Sequence, residues 1–283
     1  MKIVENLELK EYNSYRICAI AKTVFFPETL DDIIGVVDLP GIVIIGGGCN
    51  IILSKGYYEK ENFVFIRENF SGIQKLRDDR LKVKSGTDLK DLSLFAYENS
   101  LSGLEYFYDI PGCVGGATIM NAGCNGVSFG DFIESVTYYD INNKKIYTVS
   151  SDDLSFRYRG SQLSSMNIII LEVELSLRIG ERGSIWNVMQ ENKEKRWQKQ
   201  PRDYPSAGSV FKRPAGHYVG PMITEVGLKG YRIGDAMFSD KHAGFIVNVG
   251  NAKGRDVLSL VAIAQEKVKK LYDVNLELEQ RVI

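Results

Sequence analysis

Histidine is almost missing from this chain. His217 and His242 are the only two in 283 residues, and no HExxH pattern or Cys/His cluster accompanies either. A zinc site needs three or four such ligands, so no metal is expected. Cysteine is sparse too. Cys18, Cys49, Cys113 and Cys124 form no C-x-x-C pair and no disulfide-dense pattern, and they read as reduced thiols of a cytoplasmic protein. Neither sign of charge dominates: 35 Lys and Arg stand against 36 Asp and Glu, a net charge of −1. That balance gives no footprint for nucleic acid. Long apolar runs are also lacking. The stretches at residues 42–45 and 168–171 are far too short to span a bilayer, and the first twelve residues lack the apolar core of a signal peptide. The expectation is a soluble protein with no membrane partner, long enough for one large domain or two or three smaller ones, each with a sizeable core.

What the chain does have is glycine in clusters. A short apolar strand at residues 42–45 runs into Gly46-Gly47-Gly48-Cys49-Asn50, the arrangement that offers consecutive backbone N–H groups to an anion. The spacing is neither a Rossmann fingerprint nor a Walker loop. A second dense stretch runs Ile110-Pro111-Gly112-Cys113-Val114-Gly115-Gly116-Ala117 and continues to Asn121-Ala122-Gly123. Small residues there would let a flat or phosphorylated cofactor press against the main chain. The third is Pro205-Ser206-Ala207-Gly208-Ser209-Val210-Phe211-Lys212. Ser209 reads as a nucleophile, a proton donor or an ordinary turn hydroxyl, and no G-x-S-x-G elbow surrounds it.

Between these stretches, periodicity predicts the elements. Thr29 and Asp32 are spaced as a capping box for a helix ending near Leu39. Strands are expected at 63–66 and 81–84, a helix at 88–98, and a hairpin turning at Asn142-Asn143 between 136–141 and 145–149. A long strand is expected at 168–177 and a charged helix at 184–197. A short helix is expected at 221–226, ending at Gly227, and a strand at 244–249. The clearest helix spans 256–272, with Val257, Leu260, Val261, Ala264, Val268 and Leu271 on one stripe. A closing strand at 276–282 would put Glu277 and Glu279 on one face.

Nine motifs follow one another in an order that identifies a family. They are Asn13-Ser14-Tyr15-Arg16-Ile17, the Gly46 loop, the Ile110 stretch with Met120-Asn121-Ala122-Gly123, Tyr158-Arg159-Gly160-Ser161, Lys199-Gln200-Pro201, the Ser209 stretch, Gly227-Leu228-Lys229-Gly230, Lys241-His242-Ala243-Gly244-Phe245 and Leu276-Glu277-Leu278-Glu279. Together they resemble the UDP-N-acetylenolpyruvoylglucosamine reductases, in the shorter type II form, over nearly the whole chain.

The resemblance implies an α+β fold. Residues 1–180 would form a FAD-binding region of the vanillyl-alcohol-oxidase type, with subdomains at about 1–70 and 71–180. Residues 181–283 would form a substrate-binding α+β domain. It implies FAD as cofactor, NADPH as electron donor and UDP-N-acetylglucosamine enolpyruvate as substrate, in a cytoplasmic monomer. The flavin would deliver hydride to the terminal carbon of the enol ether. Arg159 matches the family's arginine, which stabilises the developing enolate. Ser209 matches its proton donor, and Glu279 its carboxylic acid, for which burial should raise the pKa. Arg159 and Glu279 should converge on the wall formed by residues 205–212.

Gly46, Gly47, Gly48, Cys49 and Asn50 would cradle the pyrophosphate. Ile110, Pro111, Cys113, Gly115 and Gly116 would run beside the diphosphate and the isoalloxazine, with Val173 on the strand backing the flavin. Tyr158, Lys199, Lys212 and His217 are the substrate-binding candidates. The chain departs from the family pattern where glycines are usual, with Cys18, Ala19, Asp109 and Asp235, and has Leu278 in place of a proline. Two other readings fit the same scaffold: a different flavin oxidase, which would tend to tether its flavin, and an inactive flavin- or UDP-sugar-binding paralogue.

Overall fold

The computed structural model describes residues 1–283 and is α+β throughout. Two compact units emerge, and neither is continuous in sequence. One comprises Met1–Ile3, Val24–Gly47 and Asn62–Lys195; the other comprises Val4–Thr23, Gly48–Glu61 and Arg196–Ile283. The division falls inside the strands Lys2–Glu8, Ile20–Phe26 and Tyr57–Phe65.

In the first unit, Ile42–Ile45 pairs in parallel with the end of the Tyr57–Phe65 strand, Ile45 opposite Phe65. The helix Leu30–Val36 begins as its sequence predicts. The Thr29 side chain accepts from the Asp32 N–H, and the Asp32 carboxylate accepts from the Thr29 N–H. Its buried residues Ile33 and Val36 join Phe25, Val64, Ile66 and Ile169 in one apolar cluster. A five-stranded antiparallel sheet, formed by Lys145–Ser150, Ile133–Asp140, Ile168–Ser176, Arg80–Lys84 and Ile73–Arg77 in that order, carries the larger cluster. The hairpin turns at Asn142-Asn143, with Tyr138 opposite Tyr147, and the Asp140 carboxylate accepts from both turn N–H groups at 2.9 Å. Val173 sits 1% exposed in the middle of this sheet between Val136 and Val83, so its side chain serves the core.

The second glycine stretch contains a helix, Val114–Met120. Gly115 and Gly116 each lower helix propensity by about 1 kcal/mol relative to Ala. Burial of Val114, Ala117 and Thr118 and the bond from Gly115 N–H to the Ser85 carbonyl at 2.8 Å offset that cost.

In the second unit, the helix Gly254–Tyr272 packs on Arg232–Ile233, Ala236–Phe238 and Val219–Glu225. Val257, Leu260, Val261, Ala264 and Val268 are buried as the stripe predicts. Leu271 is not: it is 55% exposed, in the last turn before the left-handed cap at Asp273. The closing strand is also shorter than its alternation suggests. Only Arg281–Val282 is strand, parallel to Ile51–Ile52. The segment before it bonds instead to the Ser209 stretch, through a bridge between Phe211 and Leu278. Asp235, where glycine is usual, has a structural task. Its carboxylate accepts from Asn251 N–H at 2.7 Å and pairs with Arg232, and both hold its pKa below the usual carboxylate range. No helix is long and apolar enough to cross a membrane.

Candidate active site

Three short segments build the site around Ser209, all within the second unit. Ser209 bridges Phe245 in antiparallel register, and Val210 N–H donates to the Gly244 carbonyl at 3.0 Å. On its other edge, Glu279 N–H donates to the Val210 carbonyl and Lys212 N–H to the Glu277 carbonyl, both at 2.8 Å. The serine segment is therefore the middle of three chains. Ser209 and Glu279 are both half-buried, and the Glu279 carbonyl accepts from Asn50 Nδ2 at 3.1 Å. Gly208 adopts a φ of +80°, where any other residue would be strained, while a Cβ added there would meet nothing within 4 Å.

The segment carrying Gly244 is itself fixed. Ser239 Oγ accepts from the N–H groups of Lys241 and His242, and His242 Nδ1 accepts from Gly244 N–H at 3.2 Å. The imidazole packs edge-on against Phe245, and burial pushes its pKa down. It is thus a neutral acceptor that shapes the turn.

The structure distributes the other substrate candidates. Lys199 ends the helix Arg182–Lys199 and is exposed. Lys212 is half-buried and pairs with Glu277. His217 lies edge-on to Tyr272, with its carbonyl accepting from Arg213 Nε at 3.2 Å. Of these three, Lys212 alone lies in the three-chain arrangement.

In the first unit, Arg157 and Gly160 exchange backbone hydrogen bonds at 2.9 and 3.2 Å, which places Tyr158 and Arg159 at the tip of a two-residue hairpin. Arg159 takes a φ of +53°, a conformation that L residues hold only when their surroundings impose it. Here Asn121 Nδ2 donates to the Arg157 carbonyl at 3.0 Å, and Arg159 Nη2 reaches the Gly123 carbonyl at 3.4 Å. The guanidinium also lies 5.2 Å from the ring centre of Tyr158, which is 58% exposed. The hairpin Gly123–Ser128 is held in turn by Asn125 Nδ2 donating to Asn192 Oδ1 at 2.7 Å.

The dinucleotide candidates join at one sulfur. A Cβ on Gly46 would stand 2.4 Å from Cys113 Sγ. The N–H groups of Gly116 and Gly47 point at that sulfur, opposing the burial that pushes the thiol pKa up. Val114 and Gly115 donate inward, to the Thr87 and Ser85 carbonyls. These residues accordingly offer close main-chain approach more than free N–H donors. Gly48, Cys49 and Asn50 lie in the second unit, where the Gly48 carbonyl accepts from Ser14 N–H at 3.0 Å. Beside Ile110 and the exposed Pro111, Gly112 would carry a Cβ into open space, and one on Gly116 would meet only Cys113 Sγ, at 3.9 Å. Against Gly115, Ser85 Oγ is buried without a partner. Open main chain beside a buried donor fits a flat, phosphorylated cofactor. Sequence reasoning missed Ser85, whose only signal is its place at the end of a strand before Gly86. It also missed the role of Gln280 and Tyr15, which hydrogen-bond to each other. No cluster of His, Cys, Asp or Glu that could hold a metal is formed.

Comparison with known proteins gives this geometry its setting. Residues 21–150 match the FAD binding domain family, and residues 200–283 match the C-terminal domain of UDP-N-acetylenolpyruvoylglucosamine reductase. The reductase of that name from Francisella tularensis is 38% identical over 99% of both chains. The one from Thermosipho melanesiensis is 40% identical over 97% of this chain and 93% of its own. The crystal structure of the Thermus caldophilus reductase superposes with a TM-score of 0.82 at 32% identity, covering 99% of this chain and 98% of that one.

Proposed function

The chain belongs to the UDP-N-acetylenolpyruvoylglucosamine reductase family, and from that premise we infer that it reduces UDP-N-acetylglucosamine enolpyruvate to UDP-N-acetylmuramate in peptidoglycan precursor synthesis. Its cofactor is FAD and its electron donor NADPH. The hydride for the terminal carbon of the enol ether would come from FAD bound by these residues and reduced by NADPH. The chain's own residues manage the charge and the proton. Arg159 stabilises the negative charge that gathers on the substrate carboxylate. Ser209 Oγ gives a proton to the carbon bearing the ether oxygen. Glu279 in its protonated form hydrogen-bonds to the enolate. Tyr158, Lys199, Lys212 and His217 bind the UDP-sugar. Gly46, Gly47, Gly48, Cys49 and Asn50, with Ile110, Pro111, Cys113, Gly115 and Gly116, hold FAD.

The observation that supports this assignment most directly is the pairing of the serine and glutamate segments, with Glu279 N–H on the Val210 carbonyl. A tethered-flavin oxidase is less well supported, since Cys113 is buried with its sulfur packed against Gly46. The departures at Cys18, Ala19, Asp109 and Asp235 spare Arg159, Ser209 and Glu279, which favours an active enzyme over a paralogue. The division of roles is FAD binding by residues 1–180 and substrate binding by 181–283, in a cytoplasmic monomer. The test is NADPH consumption by the purified FAD-loaded protein with and without UDP-N-acetylglucosamine enolpyruvate. Turnover that requires the enol ether is expected; NADPH consumption indifferent to it refutes the reading.

A further inference from the structure

Gln280 follows Glu279 directly and is 3% exposed. Its Nε2 lies 3.1 Å from the Ala207 carbonyl and 3.3 Å from each of the Gly208 and Ser209 carbonyls. Its Oε1 accepts from the Tyr15 hydroxyl at 3.0 Å. The amide has one workable orientation, because turning it over would set Oε1 against three carbonyl oxygens. Tyr15 is fully buried, and burial pushes its hydroxyl pKa up, so it stays a neutral donor. Tyr15 is anchored in turn, its carbonyl accepting from Asn248 Nδ2 at 2.8 Å, while Asn248 N–H donates to the Pro205 carbonyl at 2.9 Å.

Three consecutive carbonyls reach one amide because Gly208 takes its positive φ. The bridge between Phe211 and Leu278 fixes the register, so Gln280 stands opposite Ser209 and Glu279 opposite Val210. A single residue thus grips the peptide that carries the proposed proton donor, from the position next to the proposed carboxylic acid.

We propose that Gln280, held by Tyr15, is a positioning residue for the proton-transfer step, fixing the Ser209 peptide relative to Glu279. The proposal rests on the reading of Ser209 as the proton donor. Proton delivery is sensitive to placement, and a shift of about 1 Å in a reacting group costs on the order of 10²-fold. An amide that only filled the core would affect folding and both half-reactions alike. One that positions Ser209 acts where the proton moves.

The experiment uses the FAD-loaded full chain and follows each half-reaction by flavin absorbance, with thermal melting alongside. Gln280→Met keeps length and removes both donors and acceptor. It should slow flavin reoxidation by UDP-N-acetylglucosamine enolpyruvate by roughly 10- to 100-fold, with flavin reduction by NADPH and KM for the enol ether changed less than ~3-fold. The solvent deuterium isotope effect on reoxidation should rise. Gln280→Glu should recover part of the rate as pH falls, because the protonated carboxyl again donates to the carbonyls. Tyr15→Phe, the milder change, should slow reoxidation in the same direction and add little to Gln280→Met.

Equal slowing of both half-reactions, or a lower melting temperature with unchanged reoxidation and isotope effect in both Gln280→Met and Tyr15→Phe, overturns the positioning role. Wild-type protein whose reduced flavin is not reoxidised by the enol ether overturns the proposed function itself. Unimpaired reoxidation in Ser209→Ala overturns the premise about the serine.

Discussion

The backbone N–H of Glu279 donates to the carbonyl of Val210 at 2.8 Å, although the two residues are far apart in the chain. That bond sets the carboxylic-acid candidate beside the segment that begins with Ser209. It also gives Ser209 a defined backbone on both edges, since Val210 N–H is held by the Gly244 carbonyl. A proton donor with a fixed backbone should be removable without loss of the fold. Ser209→Ala is expected to keep flavin reduction by NADPH and to slow reoxidation by the enol ether by about 10²–10⁴. Stopped-flow absorbance of the flavin measures both. A slowing of less than ~10-fold would remove Ser209 from the proton-transfer step.

Arg159 offers a different separation of fold and chemistry. Its φ of +53° is a conformation in which glycine is relaxed and arginine is not. Replacing it with glycine should relieve about 1 kcal/mol of backbone strain, against the loss of the guanidinium's contacts with the Gly123 carbonyl and the Tyr158 ring. Arg159→Gly should therefore melt no lower than wild type while reoxidation by the enol ether falls by roughly 10²–10³. Retained reoxidation with a lowered melting temperature would make Arg159 a structural residue.

Local signals carried far in this chain. The capping box of Thr29 and Asp32, the turn at Asn142-Asn143 and the buried stripe from Val257 to Val268 each depend on neighbours a few positions away, and each is where the pattern puts it. The order of motifs carried the family, which no single loop could. Partner choice was not legible. The alternation of residues 276–282 looks like a strand, yet only Arg281–Val282 pairs as one, because residues 277–279 find their bonds on the Ser209 segment. The glycines at 115 and 116 argue against the helix that burial of Val114 and Ala117 imposes. Gln280 gives no sign in sequence of the three carbonyls it grips, because their convergence depends on the φ of Gly208.

Gly46 is small because of a sulfur. A methyl group there would approach Cys113 Sγ to 2.4 Å, far inside van der Waals contact. Gly46→Ala should cost about 1–3 kcal/mol in stability and loosen FAD. Cys113→Ala removes the obstruction, so the double variant should recover much of the loss. Melting temperature and FAD retention of the four proteins form a cycle that isolates this contact. If Gly46→Ala is equally damaging with and without the sulfur, the glycine is required for some reason other than Cys113.

His242 supplies a pH-dependent test. Burial holds its folded pKa below 6.5, while Nδ1 accepts from Gly244 N–H. Between the folded pKa and the unfolded value of about 6.5, the unfolded chain binds the extra proton. Stability therefore falls as pH drops through that window and is restored above about pH 7. His242→Asn keeps a short acceptor for Gly244 and cannot titrate. At pH 8 the variant should be the less stable protein, having lost the packing on Phe245. As pH is lowered to 5 the gap in melting temperature should narrow, because only wild type carries the protonation penalty. A gap that stays constant over that range would mean that His242 is not held neutral by the fold.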